Sequence, residues 1–320
     1  MSSPVSSDVY VSAPLTNISI AYLQSAAGFV AGRVFPDVPV QKQGGQYWTY
    51  DRGSFNRDEM EKRAPGTESA GAGYTIDSSP TYFCEKWALH KDVDDETRAN
   101  EDSVLDGDRD AVDFLSLKAL IRKERLWAEK YFASSLWTTD LTPNNLWSTD
   151  DGTPIEDVRT ACRTILQSTG LEANTMVLNA LVRDKLLDHP DIIDRLKYGQ
   201  TAGQPAMADE VALAKLFNVD RVLVMKGIYN SSKEGQTASH SFIGGAHALV
   251  CHVAARPGLR TPSAGYTFSW AGLMGQGGMG TRIKKFRMEQ LASDRVEIEM
   301  AFDMKLVAAD LGYFFDTVAS

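Results

Sequence analysis

The sequence predicts an α+β chain in which a helix-and-strand unit is inserted between one long helix and a closing run of strands. Three observations predict it. They are a polar-tipped β-ribbon over Val40 to His90, one long helix over about Asp110 to Leu136, and an alternation of short helices and buried strands from Pro154 to about Val253 that gives way to a strand-rich C-terminus. With 320 residues and 43% hydrophobic content, the chain can bury a sizeable core in one large or two modest domains.

Taken in order, residues 1–16 are Ser-rich and irregular, the composition of an arm that needs a partner to become ordered. A short apolar helical segment is expected over Ile18 to Ala31, ending near Gly32. The ribbon's first arm, Gln46-Tyr47-Trp48-Thr49-Tyr50, alternates aromatic with polar residues, and its second, Thr81 to Leu89, does so less strictly. The tip between them, Asp51 to Asp77, carries Arg52, Arg57, Asp58, Glu59, Glu61, Lys62 and Arg63, then Pro65, Gly66, Gly71 and Gly73, which suits an exposed loop. A lone two-stranded ribbon is marginal in water, so a second copy of the chain is the expected source of its order, and the seven charged tip residues are the expected intersubunit contacts.

Lys91 to Asp113 is acidic and reads as a solvated loop that caps the next helix. Asp106-Gly107-Asp108 lacks the alternating ligands and closing Glu of a calcium loop. On the long helix, Phe114, Leu117, Ile121 and Ala128 recur at helical spacing, with Leu120, Trp127 and Tyr131 on an adjoining stripe, and Trp127 and Trp137 are expected in the core. Pro154 to Thr169 is the next helix, stopped by Gly170. Then come a buried strand at Thr175 to Leu178, helices at Ala180 to Leu187, Ile192 to Tyr198 and Ala208 to Phe217, and a strand at Arg221 to Met225. A polar loop over Gly227 to Gly245 precedes strands at Ala246 to Val253 and Tyr266 to Trp270. The closing strands, Arg282 to Phe286, Arg295 to Ala301, Lys305 to Ala309 and Leu311 to Val318, are expected to form one sheet with the long helix.

Charge and motif content exclude several function classes. A formal charge of -9 and a pI near 5.1 argue against electrostatic wrapping of nucleic acid. The three cysteines, Cys84, Cys162 and Cys251, are widely spaced among apolar neighbours and read as free thiols in a reducing cytoplasm. No basic, apolar leader opens the chain, and no apolar run approaches the ~18 residues of a membrane span. His90, His189, His240, His247 and His252 form no metal-binding spacing, so no metal and no cofactor are expected. Gly275 to Gly280 fits G-x-G-x-x-G letter for letter, but it is followed by Thr281-Arg282-Ile283-Lys284-Lys285-Phe286, an alternating basic strand where a dinucleotide site needs a helix. The glycine run therefore reads as a turn. No nucleophile elbow, Walker loop or carboxylate pair in a known motif is present, so no enzyme activity is expected.

The order of arm, ribbon, long helix, inserted α/β unit and returning sheet resembles that of the major capsid proteins of tailed bacteriophages. Local stretches are similar too: Ala173-Asn174-Thr175-Met176-Val177-Leu178 with Leu187 to Tyr198, Leu213 to Val222, and the ending Ala308-Ala309-Asp310-Leu311-Gly312-Tyr313-Phe314-Phe315. The resemblance runs from about Ser12 to Val318. It implies an N-terminal arm at 1–40, an E-loop at 41–91, a P-domain at 92–153 and 261–320 with its spine helix at about 110–136, and an A-domain at 154–260. It also implies self-assembly as hexamers and pentamers into an icosahedral shell, built in the bacterial host cytoplasm and forming the virion capsid. The shell would enclose packaged double-stranded DNA, contacted weakly and without sequence specificity. A portal and a possible decoration protein are implied partners. Met1 lies only some forty residues before the ribbon, which leaves no room for a long N-terminal scaffolding region, so a separate scaffold protein is expected. The alternatives are an encapsulin-type compartment shell and, outside the structural class, a nucleotide-binding α/β enzyme using the Gly275 turn.

Overall fold

One strand, Ser293–Leu306, organises the larger of two five-stranded sheets. In this computed structural model, which describes residues 24–100, 106–199, 209–258, 260–274 and 280–319, its first ten residues pair antiparallel with Glu85–Asp94. Its opposite edge is shared end to end: Thr281–Met288 covers Ser293 to Met300, and Gly265–Trp270 covers Phe302 to Leu306. Asp37–Val40 adds a parallel strand beyond Gly265–Trp270. The period-2 pattern of Ser293–Leu306 gives the sheet two faces. Val296, Ile298, Met300, Phe302 and Met304 are buried with Leu115, Ala119 and Trp127 of the long helix, Gly107–Tyr131. Arg295, Glu297, Glu299 and Asp303 point the other way.

The second sheet runs Thr139–Leu141, Gly312–Phe315, Ala248–Cys251, Thr175–Asn179, Arg221–Met225. Its central strands are buried throughout. Helix Pro154–Thr169 packs on Ala248–Cys251 and Gly312–Phe315, burying Ile155, Val158, Ala161 and Ile165 at helical spacing. Pro154 sits at the first turn, where its missing N–H costs nothing, and Gly170 ends the helix in the left-handed conformation (φ 74°). Helices Ala180–Leu187, Pro190–Gly199 and Glu210–Phe217 complete this unit.

Several expectations are corrected. Strand Glu85–Asp94 belongs to the larger sheet, so the ribbon proper ends near Phe83. The acidic stretch after it is no merely solvated loop: Asp94 closes the strand, Asp95–Ala99 is a helical turn, and Asp95, Asp108 and Asp294 pair with Arg98, Lys285 and Arg287. Asp106 accepts hydrogen bonds from the Asp108 and Arg109 amides, so the helix starts at Gly107. It stops at Tyr131, not Leu136. Phe132 leaves the helix to stack on Trp127 at 5.6 Å, and Ser135 takes a positive φ of 66°. The buried stripe is Ala111, Leu115, Ala119, Trp127 and Tyr131, while Phe114 is exposed and Leu117 and Ile121 only half-buried. The stripe follows i+4 steps and carries Lys123 and Glu124 in its course, so apolar spacing alone misplaces it.

Arg295 to Ala301 and Lys305 to Ala309 are largely one continuous strand, and the last strand, Gly312–Phe315, pairs in the second sheet. The loop 227–245 contains a small hairpin, Ile228–Asn230 with His240–Phe242. In place of a helix to Ala31, Ala26–Gly28 is a 3-10 turn and Ala31–Val34 a separate short helix. Expectations for residues 1–16 and 18–23, and for glycines 275–278, lie outside the described residues. Gly280 and the strand after it are described, and that strand is where a phosphate-binding helix would have to be.

Candidate assembly surfaces

The ribbon is anchored at its root and bare at its tip. Tyr82 and Tyr47 stack on Phe268 at 4.6 and 5.4 Å, and the Cys84 thiol donates to the Phe268 carbonyl. The Phe83 amide donates to the Asp303 carboxylate. These contacts seat the root on the sheet face opposite the long helix, over a small cluster of Cys84, Ala254, Tyr266 and Phe268. Burial pushes the Cys84 thiol up to about 12, as it does Cys251, so both are inert thiols. Outward from the root, Gly44–Gln46 pairs with Thr81–Phe83, and Thr49–Tyr50 with Ile76–Asp77.

Beyond those short ladders the tip folds around its own few apolar groups. Asp51 caps the helical turn Arg52–Phe55, accepting from the Gly53 and Ser54 amides, and Tyr50, Phe55 and Tyr74 pack ring to ring at 5.4 to 6.0 Å. A cleft of about 440 Å³ lies beside them, lined by Arg57, Glu59, Met60, Glu61 and Tyr74 among others. Trp48, Phe55, Met60, Ile76 and Phe83 are exposed, Met60 almost fully.

The seven charged tip residues separate into groups. Arg57 pairs with Glu59 at 3.0 Å, and Glu61 joins them along the cleft. Arg63 donates to the Thr67 carbonyl. Asp58 and Lys62 are exposed. Arg52 reaches back to Asp310 of its own chain at 2.7 Å, and the Arg260 guanidinium lies 5.9 Å from the Tyr50 ring. The tip is therefore tethered to the body of its own subunit by one ion pair and one cation–π contact.

Two charged centres that sequence reasoning missed brace the frame behind this surface. On the ribbon face of the sheet, Glu299 is 1% exposed and is ringed by Lys86 at 2.5 Å, Arg282 at 2.6 Å and Lys284 at 2.9 Å. Burial alone would raise its carboxyl, but the three hydrogen-bonded cations outweigh that and hold it well below the usual carboxylate range. In the core, Glu124 accepts from the Val30 and Ala31 amides at 2.8 to 3.0 Å, fastening the start of helix Ala31–Val34 to the long helix. Burial pushes Glu124 up to about 6 despite those bonds. Next to it, the Lys123 ammonium is buried over the Phe302 ring at 5.6 Å, and burial lowers its pKa. The first centre had a readable signal: Arg282 and Lys284 oppose Glu299 and Glu297 once the hairpin register is known. The second had none.

Among the described residues no helix is long and apolar enough to cross a membrane, and no group of histidine, cysteine and carboxylate side chains is arranged to hold a metal. The arrangement is that of a braced body with a protruding, partly unsatisfied arm.

Known proteins share this architecture. The chain is 26% identical over 316 residues to the major capsid protein of Burkholderia phage BcepMu, covering 95% of each, and 25% identical to that of Pseudomonas phage JBD67, covering 96% of each. Among solved structures it is similar to a phage-related protein of Bordetella bronchiseptica RB50, with a TM-score of 0.69 and 21% identity over 91% of this chain and 92% of that one. The SrpI encapsulin of Synechococcus elongatus has the same fold at 11% identity and a TM-score of 0.57, covering 96% of this chain and 92% of that one. A sequence model of the family described as phage major capsid protein E matches residues 127–301, more than half of the chain. The fold, the exposed ribbon and that match agree: the chain belongs to the phage major capsid protein E family, a structural family and not an enzyme.

Proposed function

We propose that copies of this chain assemble as hexamers and pentamers into the icosahedral shell of a virion, in the host cytoplasm, around double-stranded DNA. The observation that carries this reading is the ribbon: its outer part holds no buried residue of its own and exposes Trp48, Phe55, Met60, Ile76 and Phe83, surface that a neighbouring subunit would cover. Arg57, Asp58, Glu59, Glu61, Lys62 and Arg63 are the contacts assigned to that neighbour, and Arg52 joins them by exchanging its Asp310 partner. Of residues 41–91, assigned to the E-loop, those to about Phe83 form the protruding ribbon while 85–91 pair in the larger sheet; 92–153 and 261–320 act as the P-domain and 154–260 as the A-domain. The pairing of 139–141 and 312–315 favours placing those strands with the A-domain sheet. A separate scaffold protein, a portal and a decoration protein are the further partners of such a shell.

Deleting residues 53–73 tests the reading. The expected result is a soluble subunit with an unchanged circular dichroism spectrum that no longer forms closed shells by negative-stain microscopy, while the intact chain does. Normal shells from the deletion would refute the role of the tip. The shared fold with an encapsulin keeps a cargo compartment as the second reading. Shells recovered from the native host that hold enzyme and no nuclease-protected DNA would establish it.

A further inference from the structure

Phe114 projects from the flank of the long helix beside strand Glu85–Asp94 and stays 43% exposed. Two ammonium groups converge on its ring, Lys91 at 5.8 Å and Lys118 at 5.3 Å from the centroid. One turn along the helix, Arg122 lies over Trp87 at 4.3 Å. No ion pair joins any of these three cations to a carboxylate among the described residues. The contrast with the rest of the sheet is sharp, for Lys86, Arg282, Lys284, Lys285, Arg287 and Arg295 are all paired. Two like charges sharing one ring repel, and an aromatic face offsets only part of that repulsion. In a chain carrying a net charge of -9, Lys91, Lys118 and Arg122 form a basic stripe with no ion-paired carboxylate among the described residues.

We infer that this stripe, Lys91, Lys118 and Arg122 over Phe114 and Trp87, receives the phosphate backbone of duplex DNA. Lys118 and Arg122 are one helical turn apart, about 6 Å along a straight strut, and Lys91 adds a third charge from the adjoining strand. The two lysines are point charges on flexible stems, and the Arg122 guanidinium lies over the Trp87 ring, so the stripe presents spaced positive charges rather than a fixed fork for one carboxylate. Such charges contact phosphates without reading base edges, which suits DNA of any sequence. The overall negative charge keeps the rest of the surface from adhering. The presence of DNA rests on the shell reading; the surface itself does not.

The test is fluorescence anisotropy of a labelled duplex with unassembled full-length subunits, between about 50 and 200 mM NaCl. Lys91→Gln, Lys118→Gln and Arg122→Gln should each reduce the slope of log affinity against log salt by about one, and the triple variant by about three. Affinity of the triple variant at the lowest salt should fall at least tenfold, with an unchanged circular dichroism spectrum, while Lys233→Gln should leave both unchanged. A wild-type slope in the triple variant, or no salt-dependent binding by the wild type, overturns the inference. Stronger competition by poly-glutamate than by unlabelled duplex also overturns it and reassigns the stripe to an acidic segment of a second copy. Shell formation is read separately by microscopy, so a wild-type chain that fails to assemble counts against the shell reading and leaves the stripe to be judged by its salt slope.

Discussion

Glu124 is a carboxylate held in the core by two backbone amides, and its raised pKa makes it a reporter on the docking of residues 30 and 31. Its folded pKa of about 6 lies above the ordinary value of 4.5, so the folded chain binds this proton more tightly than the unfolded chain. The stabilisation is therefore fully present below 4.5 and is lost as pH rises through about 6. The stability difference between wild type and Glu124→Gln, from urea unfolding, should change by about 2 kcal/mol between pH 7 and 4.5. A pH-independent difference would sink the assignment. Glu299 carries the opposite kind of penalty. Glu299→Gln strands Lys86, Arg282 and Lys284 around a neutral group and should cost about 3 kcal/mol in thermal unfolding, less than that if the lysines swing to water. Both groups escaped the sequence reading because a carboxylate in a sequence reads as surface until its burial is known.

Among the elements, the long helix was legible in existence but not in its ends or its face: expected from about Asp110, it starts three residues earlier at Gly107. Its acidic first turn and Asp106 cap mark the beginning. Its end is set by tertiary packing: Phe132 turns inward onto Trp127 and Phe314, and the Trp137 indole donates to the Tyr131 carbonyl, closing the last turn. Trp137 in turn lies against Gly312, where an added Cβ would come within 2.1 Å of the indole ring. Gly312→Ala should therefore displace Trp137 or the final strand and cost roughly 2 kcal/mol, seen as a lower melting temperature and altered tryptophan fluorescence. An unchanged melting temperature would show that the indole yields freely.

At the scale of the whole molecule, the subunit is braced internally and unsatisfied at its periphery. The ion pairs of Arg287, Lys285 and Arg98 with Asp95, Asp108 and Asp294 tie the helix start to the sheet, whereas the tip's ion pairs among the described residues are Arg52 to Asp310 and Arg57 to Glu59. Exposed pairs contribute about 0 to 1 kcal/mol each, but a closed shell repeats one interface many times. Arg57→Glu with Arg63→Glu should thus weaken assembly more than folding. Sedimentation velocity and circular dichroism measure the two, and equal loss in both would count against the tip as an interface. The exposed, charged character of the tip was readable from Asp51 to Asp77, but the engagement of Arg52 with Asp310 was not, since 258 positions separate them in sequence (310 − 52).

What the sequence determined by itself is the run of elements with local punctuation: Pro154 and Gly170 bounding a helix, Thr175 to Leu178 and Arg221 to Met225 as buried strands, a basic strand after Gly280, and an order of motifs that resembled phage capsid proteins. These features depend on neighbours within a few residues, where side-chain sterics and capping act. Only the tertiary structure decided which strands pair. Glu85–Asp94 finds Ser293–Leu306, and Gly312–Phe315 leaves the sheet of its sequence neighbours to lie between Thr139–Leu141 and Ala248–Cys251. A strand's hydrogen-bonding edge accepts any partner of suitable twist, so its choice is made by the burial of one face against a helix or sheet far away in the chain.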